Sequence, residues 1–127
     1  MFARMVECML VGKKAHLAYT VGAMFDINDI LGERDLFEVL KQNTKESYGD
    51  FCAILAVMAE AGEKCRRAAG LERAYILTKE QLIAGMAPGE YLEARQKILD
   101  AIMLGLKREI VREEEEIDLG LAELEKK

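Results

Sequence analysis

A chain of 127 residues, 51% hydrophobic and 32% charged, is long enough to bury one core without disulfides or metal, and its composition excludes a disordered or fibrous chain. Its formal charge of -5, from 23 acidic against 18 basic side chains, sets the surface as a whole against a nucleic-acid backbone. No apolar run approaches a membrane span, and Glu7 with Lys13 and Lys14 interrupts the N-terminal apolar stretch, so neither a spanning helix nor a signal peptide is expected.

Met5 to Val11 reads as a strand, with Val6, Met9, Leu10 and Val11 around Glu7 and Cys8. Gly12-Lys13-Lys14 reads as a turn and Ala15 to Thr20 as a second strand, which together make a β-hairpin. One helix from Phe2 to Leu10 is the competing reading, and Gly12 argues against carrying it on to Tyr19. Thr20 is placed to cap a helix through Leu31, with Val21, Met24, Phe25, Ile27, Asn28 and Leu31 as its apolar face and Gly32 as its stop. A second short helix is expected over Asp35 to Gln42, carrying Leu36, Phe37, Val39 and Leu40.

The stretch from Ser47 to Gly70 is the centre of the expected fold. Tyr48, Phe51, Cys52, Leu55, Met58, Ala59, Gly62 and Cys65 recur at spacings of three and four, and Ile54, Val57 and Ala61 widen that face. A helix with so broad an apolar side has to be covered by other elements. Ser47 is the expected cap, with Asp50 in the capping-box position. Lys64, Arg66 and Arg67 suit the negative end of the dipole, and Gly70 suits a left-handed stop.

After an irregular stretch, Leu71 to Leu77, Thr78 and Gln81 form a capping box for a short helix from Lys79 to about Gly85. Pro88, followed by Glu90, opens a second long helix. Its apolar face runs through Tyr91, Ala94, Ile98, Ala101, Ile102, Gly105, Leu106 and Ile110, and Glu93, Lys97, Lys107 and Arg108 lie opposite. Glu113 to Glu116 is an acidic run, and Ile117, Leu121 and Leu124 then return at helical spacing. That tail reads either as a docking element for a partner or as a last segment folding back on the body. The expected fold is α+β, mostly α: a hairpin followed by about five helices, with the two long ones packed together. It forms one domain over residues 1–127, with the hairpin in 1–20, the helical body in 21–112 and an acidic amphipathic tail in 113–127.

The residues offer little chemistry. Cys8, Cys52 and Cys65 are an odd set, and Cys52 and Cys65 lie about 20 Å apart on one helix, so reduced, mostly buried thiols are expected. His16 is the sole histidine, with no ligands at metal spacing around it, so neither a metal nor a cofactor is expected. Ser47 is the sole serine and is used as a cap, and no phosphate-cradling glycine loop occurs. The carboxylates are spaced as solvent-facing helix surface. Pro88-Gly89-Glu90 would present acid to DNA if the last two helices were a helix-turn-helix. No catalytic residue is assigned.

MLVGKKAHLAYTVGAMFDINDILG resembles the opening of the tail assembly chaperones of long-tailed phages and prophages, in which two short strands lead into a helix. LTKEQLIAGMAPGEYLEARQKILDAIMLGL is similar to the second half of that family, and REEEEIDLGLAELEKK resembles its charged, lysine-ended tails. The resemblance implies a non-enzymatic protein of the host cytoplasm that binds the tape measure protein, the tail tube protein or both while the tail is built. It also admits a translational frameshift near Lys126 and Lys127. Excess apolar area on the two long helices could separately be buried between copies in a homo-oligomer. Ile117, Leu119, Leu121 and Leu124 are the residues expected to meet the partner. The alternative is a small helical adaptor or regulatory module that binds another phage or host protein. A small acid–base enzyme is a third reading, which a deep polar pocket would favour.

Overall fold

The computed structural model describes the backbone of residues 5–42 and 44–110, and side chains as far as Leu106. Two antiparallel strands, β1 (Met5–Leu10) and β2 (Lys13–Ala18), form a hairpin. Among the described residues five helices follow: α1 (Val21–Leu31), α2 (Leu36–Lys41), α3 (Lys45–Ala68), α4 (Lys79–Gly85) and α5 (Pro88–Ile110). The fold is α+β and mostly helical, as the sequence leads one to expect.

The hairpin replaces the competing N-terminal helix, but its turn sits earlier than the sequence suggests. Val11 and Gly12 are the two turn residues, at φ 52° and 72°, and Lys13 already belongs to β2, opposite Leu10. Two positive φ values make this the turn whose twist matches a hairpin. A β-branched residue is a poor occupant of the first position. Val11 is held there from two sides: its side chain packs where a Cβ on Gly85 would stand, and Glu90 of α5 accepts the Gly12 N–H at 3.1 Å.

The inner face of the hairpin carries Cys8, Leu10 and Leu17 into one core with Ile27, Phe51, Leu55, Met58, Leu82 and Ile98. The hairpin lies against both long helices, and α3 and α5 meet directly through aromatic rings. Phe51 and Tyr48 of α3 stand edge-on to Tyr91 of α5, with centroids 4.6 and 5.5 Å away.

Helix ends follow the chemistry of their caps, with one correction. Thr20 and Thr78 cap α1 and α4 as expected, Thr78 sharing a full capping box with Gln81, while Asp35 and Gln42, expected as the ends of the second short helix, are the caps that flank α2. The long helix α3 starts two residues before Ser47. Thr44 is its cap, and Ser47 is the third helical residue, returning a hydrogen bond to the Thr44 N–H at 3.0 Å. A threonine three residues ahead of a serine satisfies two orphan N–H groups, where Ser47 as cap would satisfy one. Asp50, the expected capping partner, is instead paired with Arg34. Gly70, at φ 83°, ends α3 in a Schellman motif: the Leu71 N–H reaches the Arg66 carbonyl at 3.0 Å and the Gly70 N–H reaches that of Arg67 at 3.0 Å.

The buried side of α1 is Ala23, Ile27 and Leu31. Val21 and Phe25, expected on its apolar face, point outward, and Phe25 is 60% exposed.

Candidate functional site

Three kinds of residue were candidates for chemistry, and the fold disperses them. His16 sits on the outer face of β2, its Nε2 3.7 Å from Oε1 of its cross-strand neighbour Glu7. Among the described residues no group of three or more His, Cys, Asp or Glu could hold a metal ion. The three thiols are free, with Cys8 and Cys52 buried and Cys65 half-buried. Burial, and then the charge of Glu93, pushes the Cys8 thiol up to about 11, and burial raises Cys52 as well, so both are neutral thiols at physiological pH. Tyr48, pushed up to about 12 chiefly by burial, is likewise a neutral phenol there.

One carboxylate departs from the solvent-facing expectation. Glu63 is buried on α3, only 5% exposed. Its Oε1 accepts from Arg66 at 2.8 Å, and its Oε2 accepts from Arg67 at 2.9 Å and from the Ala74 N–H at 2.7 Å. Burial alone would raise this carboxyl. The Ala74 N–H and the two guanidinium groups outweigh burial and hold it below the usual carboxylate range. Arg66 and Arg67 also donate to the Glu72 and Ala74 carbonyls. The cluster therefore ties the strand-free segment after α3 back onto its last two turns. Its ligands are all internal, so its work is structural.

What the fold leaves at the surface is apolar. On the α2–α5 side, Phe37 is 39% exposed and Leu92 is 62% exposed. Beside Phe37 a cavity of about 170 Å³ is lined by Phe37, Leu40, Lys41, Arg95 and Leu99, a set with two positive charges and no negative one. Arg95 lies over the Tyr91 ring at 4.9 Å and donates to its hydroxyl at 2.6 Å, which fixes the guanidinium along the groove. A second, shallow groove of about 310 Å³ runs between α1 and α3. Small residues line it, among them Gly22, Ala23, Ala61 and Ala68, with Asp26 and Glu60 at its margin.

The hairpin adds an open strand edge. A two-residue turn makes Leu10 and Lys13 a hydrogen-bonded pair, so alternation turns the peptide groups of Met5, Glu7 and Met9 outward. Among the described residues no backbone hydrogen bond from another element reaches them. The matching outer edge of β2 is closed by α3.

The tail residues expected to meet a partner, Ile117, Leu119, Leu121 and Leu124, lie outside the described residues. The exposure of Leu92 on α5 has a sequence signal that the periodicity of the buried face hides. Leu92 and Leu99 are seven apart, one coiled-coil repeat, on the flank of α5 next to its core face. Among the described residues no helix is long and apolar enough to cross a membrane. Compared with known proteins, the chain matches no family model, no curated protein and no solved structure.

Proposed function

We propose that this protein is a tail assembly chaperone of a long-tailed phage or prophage, working in the host cytoplasm. It binds the tape measure protein, the tail tube protein or both, and transforms neither. The resemblance of the hairpin-and-first-helix stretch, the Leu77 to Leu106 stretch and the charged tail supports this reading. The observation that carries its mechanism is the exposed apolar area at Phe37 on α2 and Leu92 on α5, with Lys41 and Arg95 lining the cavity beside Phe37. Such a surface suits reversible masking: it covers apolar area on an unassembled tail component and gives it up when the tube grows.

The test is co-expression with the tape measure and tube proteins of the same genome, followed by size-exclusion chromatography at micromolar concentration. A complex with at least one of them is expected, and Phe37→Asp with Leu92→Asp is expected to abolish it while leaving the fold intact. No complex with either protein overturns the proposal. A stable complex with a different phage or host protein in its place favours the adaptor module instead.

A further inference from the structure

The hairpin presents a strand edge that no strand among the described residues completes. Leu10 and Lys13 are a hydrogen-bonded pair, so Met5, Glu7 and Met9 turn their N–H and C=O groups away from β2. Among the described residues the sole hydrogen bond to these groups comes from the Cys8 thiol, 3.8 Å from the Met9 carbonyl oxygen. The edge of β2 differs, because the backbone of α3 closes it at Gly62. An unpaired edge is a template for another extended chain. Proline, a bulge or a lysine commonly guards such an edge. The strand β1, Met-Val-Glu-Cys-Met-Leu, has none of these, and it pairs with β2 in unbroken register. Its one charged side chain is Glu7, 65% exposed.

We propose that this edge takes an extended segment of another polypeptide, laid antiparallel along β1, with a lysine or arginine opposite Glu7. Backbone hydrogen bonds to Met5, Glu7 and Met9 hold the segment, and its alternate side chains set the choice of partner. On the outer face an apolar, a basic and an apolar residue at alternate positions match Met9, Glu7 and Met5. Met9 is 43% exposed and has area to give. Glu7 meets His16 of β2 at 3.7 Å and forms no other ion pair among the described residues. On the inner face the helix against β1 is α5. There Glu93 is exposed, and it acts with Glu90 on the Cys8 thiol against the opposing charge of Lys97. Both sides of the edge are therefore acidic on balance, and a basic segment is what they attract.

The same charges oppose a second copy of this chain. Two β1 strands paired antiparallel, with Met5, Glu7 and Met9 all engaged, put Glu7 directly opposite Glu7. Like charges so placed are destabilising. A shifted register avoids that clash only by leaving one end of a six-residue strand unpaired. A basic segment gains from Glu7 where a second copy loses. The edge is built from other residues than the apolar area at Phe37 and Leu92, so this inference does not rest on the proposed function.

The test follows amide exchange by NMR in the full-length chain. The probes are the acetylated, amidated peptide Ser-Val-Thr-Lys-Thr-Val-Ser and its counterpart with glutamate in place of lysine. In the free chain Glu7 and Met9 are expected to exchange fast, and Cys8, paired with Ala15, slowly. The lysine peptide at millimolar concentration is expected to slow Glu7 and Met9 and to bind about fivefold more tightly than the glutamate peptide. Glu7→Lys, a change at an exposed position, is expected to invert that preference. Slow exchange at Glu7 and Met9 in the free chain overturns the proposal, because the edge would already be covered. Protection that grows with protein concentration alone overturns it too, because the cover would be a second copy. So do equal binding of the two peptides, an unchanged preference in Glu7→Lys, and no protection by the lysine peptide.

Discussion

Gly62 of α3 lies against the carbonyl oxygen of His16 in β2: a Cβ on residue 62 would stand 1.8 Å from that oxygen and 3.2 Å from the Leu17 nitrogen. The helix backbone thereby closes the outer edge of β2, in the range where a Cα–H points at a carbonyl. The neighbours are backbone, so they cannot swing aside as a side chain would. Gly62→Ala is expected to destabilise the protein by about 2–3 kcal/mol, overpacking overcoming a helix-propensity gain of about 1 kcal/mol. Gly49, on the same helix, has nothing within 4 Å of the same position. Gly49→Ala should therefore keep the propensity gain and stabilise by about 0.5–1 kcal/mol. Urea unfolding of the two variants checks the contrast, and equal shifts would mean that α3 does not touch the strand.

Glu63 makes stability depend on acid. Its carboxyl is held below the usual range in the folded protein, so the unfolded chain binds the proton first as pH falls. The stabilisation is complete above the unfolded value near 4.5 and is lost as pH drops through the lower folded value. Glu63→Gln keeps the size but loses the charge, and is expected to cost about 1–3 kcal/mol at pH 7. The gap in melting temperature between Glu63→Gln and wild type should narrow steadily below pH 4.5. A constant gap down to pH 3 would show that the charge is not what binds the segment after α3.

Much of this fold was legible because its signals are local. Thr20, Gly32, Asp35, Thr78, Pro88 and Gly70 each act within a few residues, and each does in the structure what its chemistry suggests. Ser47 misled because two hydroxyls three apart both fit a cap, and only the reciprocal bond chooses Thr44. Glu63 was hidden for a different reason. Its burial comes from the chain returning at Ala74, eleven residues on, which no helical periodicity encodes. The outward turn of Phe25 and the exposed Leu92 are likewise set by where the hairpin and α3 lie, since α1 and α5 are apolar on more than one side.

Thiol reactivity should separate the three cysteines. Cys65 is half-buried, beside the α1–α3 groove, while Cys8 and Cys52 are 3% and 0% exposed and raised by burial. One thiol per chain is expected to react with an aromatic disulfide reagent at pH 7.5, and all three in denaturant. Cys65→Ala should remove the fast phase. Two fast thiols in the native protein would show that Cys8 or Cys52 opens to solvent without global unfolding.

Glu90 links the start of α5 to the hairpin turn. Its carboxylate accepts the Ala87 N–H at 3.0 Å and the Gly12 N–H at 3.1 Å, so one side chain caps the helix and clamps a turn 78 residues away in sequence. The Ala87 N–H first, and then that of Gly12, hold the carboxyl below its usual range. The stabilisation is again present above the unfolded pKa and lost as pH falls through the lower folded one. Glu90→Gln retains acceptor capacity on one oxygen alone and is expected to cost about 1 kcal/mol. Val11, at positive φ, depends on that clamp, so the loss should fall first on the turn. Amide exchange at Gly12 should quicken in Glu90→Gln well before exchange at Ile98 in the core. Equal acceleration at both sites would mean that Glu90 stabilises the whole fold and has no particular hold on the hairpin.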